Sequence, residues 1–249
     1  VSLTDANFGI FPERDSLIAD KLIEVQKTYN NPKAYTISWA KNQKREVVEI
    51  VRKLIYEGGS KLGLNLSVQT MDENVLDIIK RKNLDTNKIE EVFELCEQYN
   101  IPLYTELILG LPGETLDSWK NNFYRLFEAG NHTGVTVYQA QLLENAEMNL
   151  AQRKMYKLEG RIVYDYLVGT YNEHELKEGV EVVISTRDLP AHKMIEAQVF
   201  SWFMNTFHIN GITNYISRVL RKQGISYQDF YSKLLEHIKK DPWLSSEIH

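Results

Sequence analysis

The chain has 249 residues, 43% of them hydrophobic and 25% charged, which is the balance of an ordinary globular protein. A net charge of −5 gives no support for a surface that follows nucleic-acid phosphates, so no nucleic-acid partner is expected. No apolar run reaches the ~20 residues that span a bilayer and no signal-peptide pattern opens the chain, so we expect a cytoplasmic protein without a membrane partner.

Strand and helix patterns alternate from residue 1 to about residue 143. Near-continuous apolar runs predict strands over residues 1–8, 34–40, 62–70, 102–111 and 133–143. Helical periodicity predicts helices over residues 16–29, 44–57, 73–82, 86–100 and 116–130, with Asp15 and Asp85 as caps of the first and fourth. This order is typical of parallel βαβ units, and no G-x-G-x-x-G follows any strand. The pattern therefore favours an α/β fold with a partial (β/α) TIM-like barrel of parallel strands.

The character of the sequence changes after about residue 144. Residues 150–178 are predicted to be helical, residues 181–188 form a short strand pattern, and helical patterns follow from about residue 190. We therefore divide the chain into a barrel part, residues 1–148, and a mostly helical C-terminal domain, residues 149–249. The chain also begins with Val1 inside a strand pattern, which indicates a piece cut from a longer protein.

Ligands of parallel α/β proteins bind at the carboxyl ends of the strands, so polar residues near those ends are candidates for a site. These residues are Asp5, Asn7, Ser38, Trp39, Lys41, Ser67, Gln69, Thr105, Glu106, Tyr138, Gln139 and Gln141. Glu106 and Gln69 are the most informative, because a carboxylate and an amide in apolar strands need partners. Each could bind ligand hydroxyls or could serve a neighbouring strand end or loop, and the pattern leaves both interpretations open.

Several other features have simpler interpretations. The turn at residues 110–114 carries Gly110 and Gly113, which permit a positive φ. Cys96 is the only cysteine and His208 lies in an apolar helix, so both are predicted to be core residues. Two basic groups are predicted to be solvated helix faces: Lys80, Arg81 and Lys82, and Arg218, Arg221 and Lys222. The sequence identifies neither a catalytic residue nor a metal ligand.

The residues nevertheless resemble a family. ELILGLPGET, arriving after LNLSVQTMDENVLDIIKRKN, is similar to the later half of the radical S-adenosylmethionine (SAM) core. The segments TDANFG, QLLENAEMN (residues 141–149) and VVISTRDLPAHKM resemble the radical SAM proteins that are associated with a cobalamin-binding domain. The resemblance covers nearly the whole chain, and the order and spacing of the segments support it more than any single motif.

The resemblance implies an enzyme that uses SAM and a 4Fe–4S cluster. In that family a CxxxCxxC loop holds the cluster, and reductive cleavage of SAM gives a 5′-deoxyadenosyl radical. This sequence contains no such loop, so the cluster ligands are expected outside the chain, and any cobalamin domain would lie upstream. The full-length protein would be a radical SAM oxidoreductase or methyltransferase, acting on a small molecule or peptide by methyl transfer, cyclisation or another C–H functionalisation. The chain alone would be inactive.

The resemblance also implies roles for individual residues. Gln69 and Glu106 would face the ribose hydroxyls of SAM, and Ser38 or Lys41 would meet its methionyl carboxylate. The backbone around Gln139 and Ala140 would lie near adenine. The side of the substrate would be formed by Asp5, Asn7, Trp39 and Tyr138.

Two other classes of function remain open. The chain could be a barrel-like binding or scaffold module whose cluster site was lost. It could also be a metal-independent barrel enzyme that uses Glu106 and Lys41 as an acid–base pair. The sequence does not reveal the substrate or the oligomeric state.

Overall fold

A computed structural model describes residues 1–33, 35–40, 45–60, 63–81, 86–164 and 179–241. The strands are β1 Ser2–Phe8, β2 Thr36–Trp39, β3 Leu64–Gln69, β4 Leu103–Leu109, β5 Val135–Gln139, β6 Glu159–Tyr164 and β7 Gly179–Ser185. The helices are α1 Pro12–Tyr29, α2 Arg45–Tyr56, α3 Glu73–Ile78, α4 Thr86–Gln98, α5 Leu116–Glu128, α6 Ala151–Met155, α7 Ala191–Met204, α8 Asn214–Lys222 and α9 Tyr227–Lys240. A π-helical turn, Asn205–Ile209, follows α7. The predicted Lys41, Lys82 and Asp85 lie outside the described residues.

The first five strands pair in parallel, which confirms the predicted α/β class. β1 pairs with β2, and β3, β4 and β5 form a sheet in that order. In the larger sheet Ser67 lies opposite Glu106, and Glu106 lies opposite Thr136. β2 contacts β3. Among the described residues, however, no strand pairing joins β1 and β2 to β3, β4 and β5, so the two groups form separate sheets. The barrel itself therefore remains a prediction.

One face of the β3–β4–β5 sheet carries the core. Along β3 and β4 every second residue is buried, from Leu64, Leu66 and Val68 to Leu107 and Leu109. These side chains join one apolar cluster with residues of α2, α4, α5 and α7. Burying a large aliphatic or aromatic side chain contributes about 1.5–3 kcal/mol, so this face determines how the strands are held. The residues between them point to the other, more open face.

Two contacts attach the C-terminal part to the preceding part of the chain. The indole Nε1 of Trp119 in α5 donates hydrogen bonds to Ser201 Oγ at 2.9 Å and to the carbonyl of Ala197 at 3.2 Å in α7. Gln141 forms a bridge with Val182 of β7. Residues on both sides of the predicted boundary at 148 and 149 therefore share contacts, and the division into domains stays a prediction.

The prediction of a helix over residues 150–178 is wrong for residues 159–164. Among the described residues of that range, 150–164, only Ala151–Met155 form a helix, and β6 pairs antiparallel with β7, with Val163 opposite Val180. Pairing with β7 makes this segment a strand, because the strand preference of Ile162 and Val163 takes effect only when a neighbouring strand is present.

The prediction that Asp15 caps the first helix is also wrong. α1 begins at Pro12, four residues before the predicted start, and the fixed φ and missing N–H of proline suit the first helical position. The buried Asp15 carboxylate instead accepts hydrogen bonds from the backbone N–H of Gly9 at 2.7 Å and of Phe11 at 3.3 Å. Asp15 therefore fixes the loop that enters α1.

His208 is the centre of a buried polar network, which confirms the prediction that it is a core residue. Its Nε2 lies 2.9 Å from His132 Nδ1, and its Nδ1 lies 2.6 Å from the Tyr231 hydroxyl. Phe127 stacks on the ring at 3.7 Å between centroids. Burial lowers the pKa of both histidines, so the pair is neutral at pH 7.

Candidate functional site

The open face of the β3–β4–β5 sheet is polar where the opposite face is apolar. Asn65 and Ser67 of β3, Glu106 of β4 and Thr136 and Tyr138 of β5 are half-buried or exposed. Because side chains alternate across a strand, residues two positions apart share a face. This row of polar groups is the candidate site.

Glu106 is held at the centre of that row by two donors of the neighbouring strand. Asn65 Nδ2 donates to Glu106 Oε1 at 2.7 Å, and the Ser67 hydroxyl donates to Oε2. The structural role that the sequence left open for Glu106 is therefore present. A carboxylate oxygen accepts more than one hydrogen bond, so the same group can also receive ligand hydroxyls.

Arg81 lies beside this carboxylate, and the prediction that it belongs to a solvated helix face is wrong. Its Nη2 donates to the carbonyl of Ser67 at 2.6 Å, and the guanidinium interacts with Glu106. Burial lowers the pKa of Arg81, and the Glu106 charge opposes that effect. Lys80, in contrast, is exposed and pairs with Glu147 at 2.8 Å. The run of basic residues does not reveal this difference, because two consecutive side chains can point in opposite directions, one inward and one outward.

Gln69 ends β3 in an unusual backbone conformation. Its φ is 65°, and the N–H of Thr70 donates to the carbonyl of Val68 at 2.8 Å across it. The register of β3 against β4 shifts between Ser67 and Gln69, so that Gln69 lies opposite Leu107. Gln69 and Glu106 are thus on adjacent strands within one register step, and their membership in a shared site stays a prediction. Which groups their side chains meet in a complex stays a prediction.

Gln139 and Ala140 are tied to the C-terminal part. Gln139 Nε2 donates to the carbonyl of Val183 at 2.6 Å, and its Oε1 accepts from Gln198 at 3.1 Å. The N–H of Ala140 donates to Leu109 at 2.8 Å, and its carbonyl accepts from Val183 at 2.8 Å. The N–H and the carbonyl of Ala140 are therefore both hydrogen-bonded within the protein. At its predicted place near adenine, Ala140 would form a wall of buried backbone.

The turn after β4 has the predicted glycine geometry. Gly110 and Gly113 have φ values of 93° and 82°. The fully buried Glu114 accepts a hydrogen bond from the Gly110 N–H at 2.9 Å, and burial raises the pKa of Glu114 to about 8. Sequence reasoning missed this acid, although a carboxyl residue four positions after Gly110 could have indicated that it closes the turn.

The remaining predicted residues lie on β1 and β2. Asp5 accepts hydrogen bonds from Arg14 Nη2 and from the N–H of Asn7, each at 2.9 Å. Ser38 is exposed on β2, and Trp39 packs edge to face on Phe8 at 5.6 Å between ring centroids. Trp39 also borders the core of the larger sheet. No described hydrogen bond joins this group to Glu106, so its membership in one site stays a prediction.

Cys96 is a core thiol rather than a metal ligand. Cys96 is 1% exposed, and burial raises the pKa of its thiol to about 12, which confirms it as a core residue. The described ranges contain no group of three or more His, Cys, Asp or Glu side chains that could hold a metal ion. Within the same ranges no helix combines the length and the apolar character needed to cross a membrane.

Comparison with known proteins confirms the resemblance that the sequence indicated. No family model matches the chain. The cobalamin-dependent radical SAM methyltransferase TokK of Streptomyces tokunonensis is 33% identical over 242 residues, which is 96% of this chain and 35% of TokK. The 2-(S-pantetheinyl)-carbapenam-3-carboxylate methyltransferase of Streptantibioticus cattleyicolor is 32% identical over 240 residues, with the same shares covered. The chain therefore spans about a third of the length of the curated relatives that it matches.

Solved structures add a likeness of fold. The radical SAM methyltransferase TsrM of Kitasatospora setae, with tryptophan substrate and a SAM analogue bound, has a TM-score of 0.55 at 13% identity. TsrM with cobalamin and a 4Fe–4S cluster bound has a TM-score of 0.52 at 12% identity. Each match covers 82% of this chain and 42% of TsrM. Both curated relatives are thus methyltransferases, TokK a cobalamin-dependent radical SAM one, and TsrM, which is similar in fold, has been solved with cobalamin and a 4Fe–4S cluster.

Proposed function

We propose that this chain forms the nucleoside-binding portion of a cobalamin-dependent radical SAM methyltransferase. The observation that carries the proposal is the Glu106 carboxylate, which Asn65 and Ser67 hold on the open face, one register step from Gln69. Relatives with this activity align over 96% of the chain, so the same strands have counterparts in them.

The proposal assigns a part to each predicted residue. Residues 1–148 are the portion of a (β/α) barrel, and residues 149–249 are a C-terminal domain that shapes the substrate side. Gln69 and Glu106 bind the ribose hydroxyls, and Gln139 and Ala140 form the adenine wall. Ser38 or Lys41 receives the methionyl carboxylate. Asp5, Asn7, Trp39 and Tyr138 face the substrate in a cytoplasmic enzyme.

The chemistry of Glu106 suits a ribose. A carboxylate accepts two hydroxyl donors at once, and a vicinal diol presents two hydroxyls at matching separation. Asn65 and Ser67 fix the plane of the carboxylate before a ligand arrives, so little orientational freedom is lost on binding. The Arg81 guanidinium lies beside the carboxylate and interacts with its charge.

The residues of this chain do not fit a 4Fe–4S cluster. Cys96 is the single cysteine, and its buried, protonated thiol cannot serve as a thiolate ligand near neutral pH. In the proposed enzyme the cluster and cobalamin supply electron transfer and a methyl carrier from other parts of the protein. The part of this chain is to bind and orient the nucleoside, and the chain alone is expected to be inactive.

A calorimetric titration tests the proposal. Saturable binding of S-adenosylhomocysteine is expected, with clearly weaker binding of an analogue that lacks both ribose hydroxyls. Equal affinity for the two ligands would show that Glu106 does not bind the ribose hydroxyls. The absence of any binding at millimolar ligand would overturn the proposal. Incubation with iron and sulfide is expected to leave the visible spectrum without a cluster band.

A scaffold module with a lost cluster site is the second candidate, and the single cysteine favours it. The coding sequence immediately before Val1 separates the two. A CxxxCxxC motif there would support the enzyme, whereas its absence would support the module. The third candidate is an acid–base pair of Glu106 and Lys41, of which Lys41 lies outside the described residues.

A further inference from the structure

The backbone at Gln69 is strained. A positive φ is unfavourable for a residue with a side chain, and the hydrogen bond from Thr70 N to Val68 O closes a three-residue turn around it. A γ-turn with positive φ at its centre is rare and strained. Such a conformation persists only where neighbouring groups hold it. The turn also ends the strand pairing of β3, since the register against β4 shifts at this point.

Two residues of α5 hold the segment that follows the turn. Asn122 Oδ1 accepts hydrogen bonds from the N–H of Met71 at 2.7 Å and from the Thr70 hydroxyl at 3.2 Å. One helical turn later, Arg125 Nη1 donates to the carbonyl of Met71. Asn122 and Thr70 are fully buried, at 1% and 0% exposure, so water does not compete for these contacts.

The helix that carries these residues is itself anchored. Thr115 and Ser118 form a capping box at the start of α5, and Trp119 bonds to α7. The Asn122 amide also lies beside the Glu114 carboxyl, which holds Gly110 at the end of β4. One helix therefore fixes the backbone at the carboxyl ends of both β3 and β4.

We propose that Asn122 and Arg125 are positioning residues that hold the strained turn and so direct Gln69 toward the nucleoside. This inference rests on the proposed function for its ligand. Neither residue needs to touch the ligand, because both act through the backbone of Thr70 and Met71. The strain at Gln69 is the cost of presenting its amide from a strand end that would otherwise continue straight.

The test compares three variants in titrations with S-adenosylhomocysteine and in denaturant unfolding. Asn122→Leu removes the acceptor, whereas Asn122→Asp keeps it. Asn131→Leu is the matched control, because Asn131 is an equally buried asparagine that bonds Thr105 and Gly134 near the amino end of β5. We expect Asn122→Leu to weaken binding by about tenfold or more, and the other two to stay within about threefold of the wild type.

Asn131→Leu should lose a comparable amount of stability, so stability alone cannot explain a selective loss of affinity. If Asn122→Leu binds as the wild type does, or if Asn131→Leu loses the same affinity at the same stability, the inference is overturned. Arg125→Met offers a milder change should Asn122→Leu fail to fold, and it should weaken binding in the same direction.

Amide hydrogen exchange tests the inference without a ligand. Asn122→Leu should speed exchange at Thr70 and Met71 while the amide of Thr105, within the sheet, keeps its protection. Unchanged exchange at Thr70 and Met71 would overturn the positioning role. If the wild-type protein binds no nucleoside but Asn122→Leu still speeds exchange at Thr70 and Met71, the proposed function fails. The role of Asn122 in holding the turn then stands.

Discussion

The amide of Asn65 donates a hydrogen bond to the carboxylate of Glu106 across the open face of the sheet, at 2.7 Å between Nδ2 and Oε1. The two residues are 41 positions apart in sequence and lie on neighbouring parallel strands. Ser67 completes the arrangement, so a charged group in an apolar strand has both oxygens satisfied. This contact makes Glu106 a fixed acceptor.

Glu106→Gln should weaken S-adenosylhomocysteine binding by about tenfold or more. The new amide group would bring its own NH₂ donor against the donors of Asn65 and Ser67, and the negative charge would be lost. The control is Ser67→Ala, which takes away one donor and leaves the carboxylate in place. It should change affinity by less than about threefold. Titration calorimetry measures both, and equal losses for the two variants would contradict a direct role of Glu106.

Gln69→Gly and Gln69→Ala should differ in stability although both remove the side chain. Glycine adopts a positive φ without strain, whereas alanine does not, so Gln69→Gly should be the more stable by about 1 kcal/mol. Both should bind the nucleoside less tightly than the wild type. Denaturant unfolding measures the first difference, and equal stability of the two variants would argue against strain at this position.

Stability should be greatest near pH 6.5. Burial lowers the pKa of His132 and His208, so the unfolded chain binds more protons below about pH 6.5 and stability falls with acid. Glu114 has the opposite sign, since its pKa is raised to about 8 and the folded chain keeps a proton that the unfolded chain loses. Stability therefore also falls as pH rises toward 8, by at most about 1.4 kcal/mol per pH unit.

Unfolding at pH 5, 6.5 and 8 measures this profile. Glu114→Gln should flatten the decline between pH 6.5 and 8, and His208→Phe should flatten the acid side. A decline above pH 6.5 that persists in Glu114→Gln would show that another group causes it.

Gly113→Ala should destabilise the chain by about 1–2 kcal/mol, because alanine is strained at a φ of 82°. The new methyl group would meet Ile78 Cδ1, the far end of a flexible side chain that can move aside at little cost. Gly211→Ala is the control, since Gly211 has a φ of 93° with no atom within 4 Å of the added carbon. It should cost a similar amount, from the backbone alone. Thermal unfolding in which Gly113→Ala is much the less stable of the two would show that Ile78 cannot move aside.

Cys96 should react with a thiol reagent only after unfolding, since it is 1% exposed and its pKa is raised to about 12. The rate of labelling in increasing denaturant should follow the unfolding transition seen by circular dichroism. Rapid labelling of the native protein would place the thiol at the surface and would reopen it as a metal ligand.

Near-continuous apolar runs predicted the strands of the sheet, because strands of parallel βαβ units are largely buried. The partners of Glu106 could not be predicted in the same way, since register between strands is a tertiary property. Arg81 was misassigned for a related reason. Its neighbour Lys80 reaches Glu147, whereas Arg81 turns onto the carbonyl of Ser67, and nothing in a run of basic residues separates the two.

Errors at β6 and Asp15 have different origins. The strand at residues 159–164 exists only through pairing with β7, so a local pattern could not specify it. The sequence predicted Asp15 as the cap of the first helix, but Pro12 starts the helix earlier and leaves the carboxylate to hold the loop. Gln69 shows the remaining limit, because a strained φ follows from the clamp by Asn122 and Arg125 and not from its own preference.

The π-helical turn at Asn205–Ile209 accommodates one residue more than an α-helix would in the same rise. A one-residue insertion of this kind rotates everything after it by about 100° around the helix axis. In this chain the rotation coincides with His208, whose ring lies flat on Phe127 and between His132 and Tyr231. Deleting a single residue there would restore regular α-helical winding but would turn the imidazole away from Phe127, His132 and Tyr231. Among related proteins, the number of residues in this segment should therefore vary less than their identities.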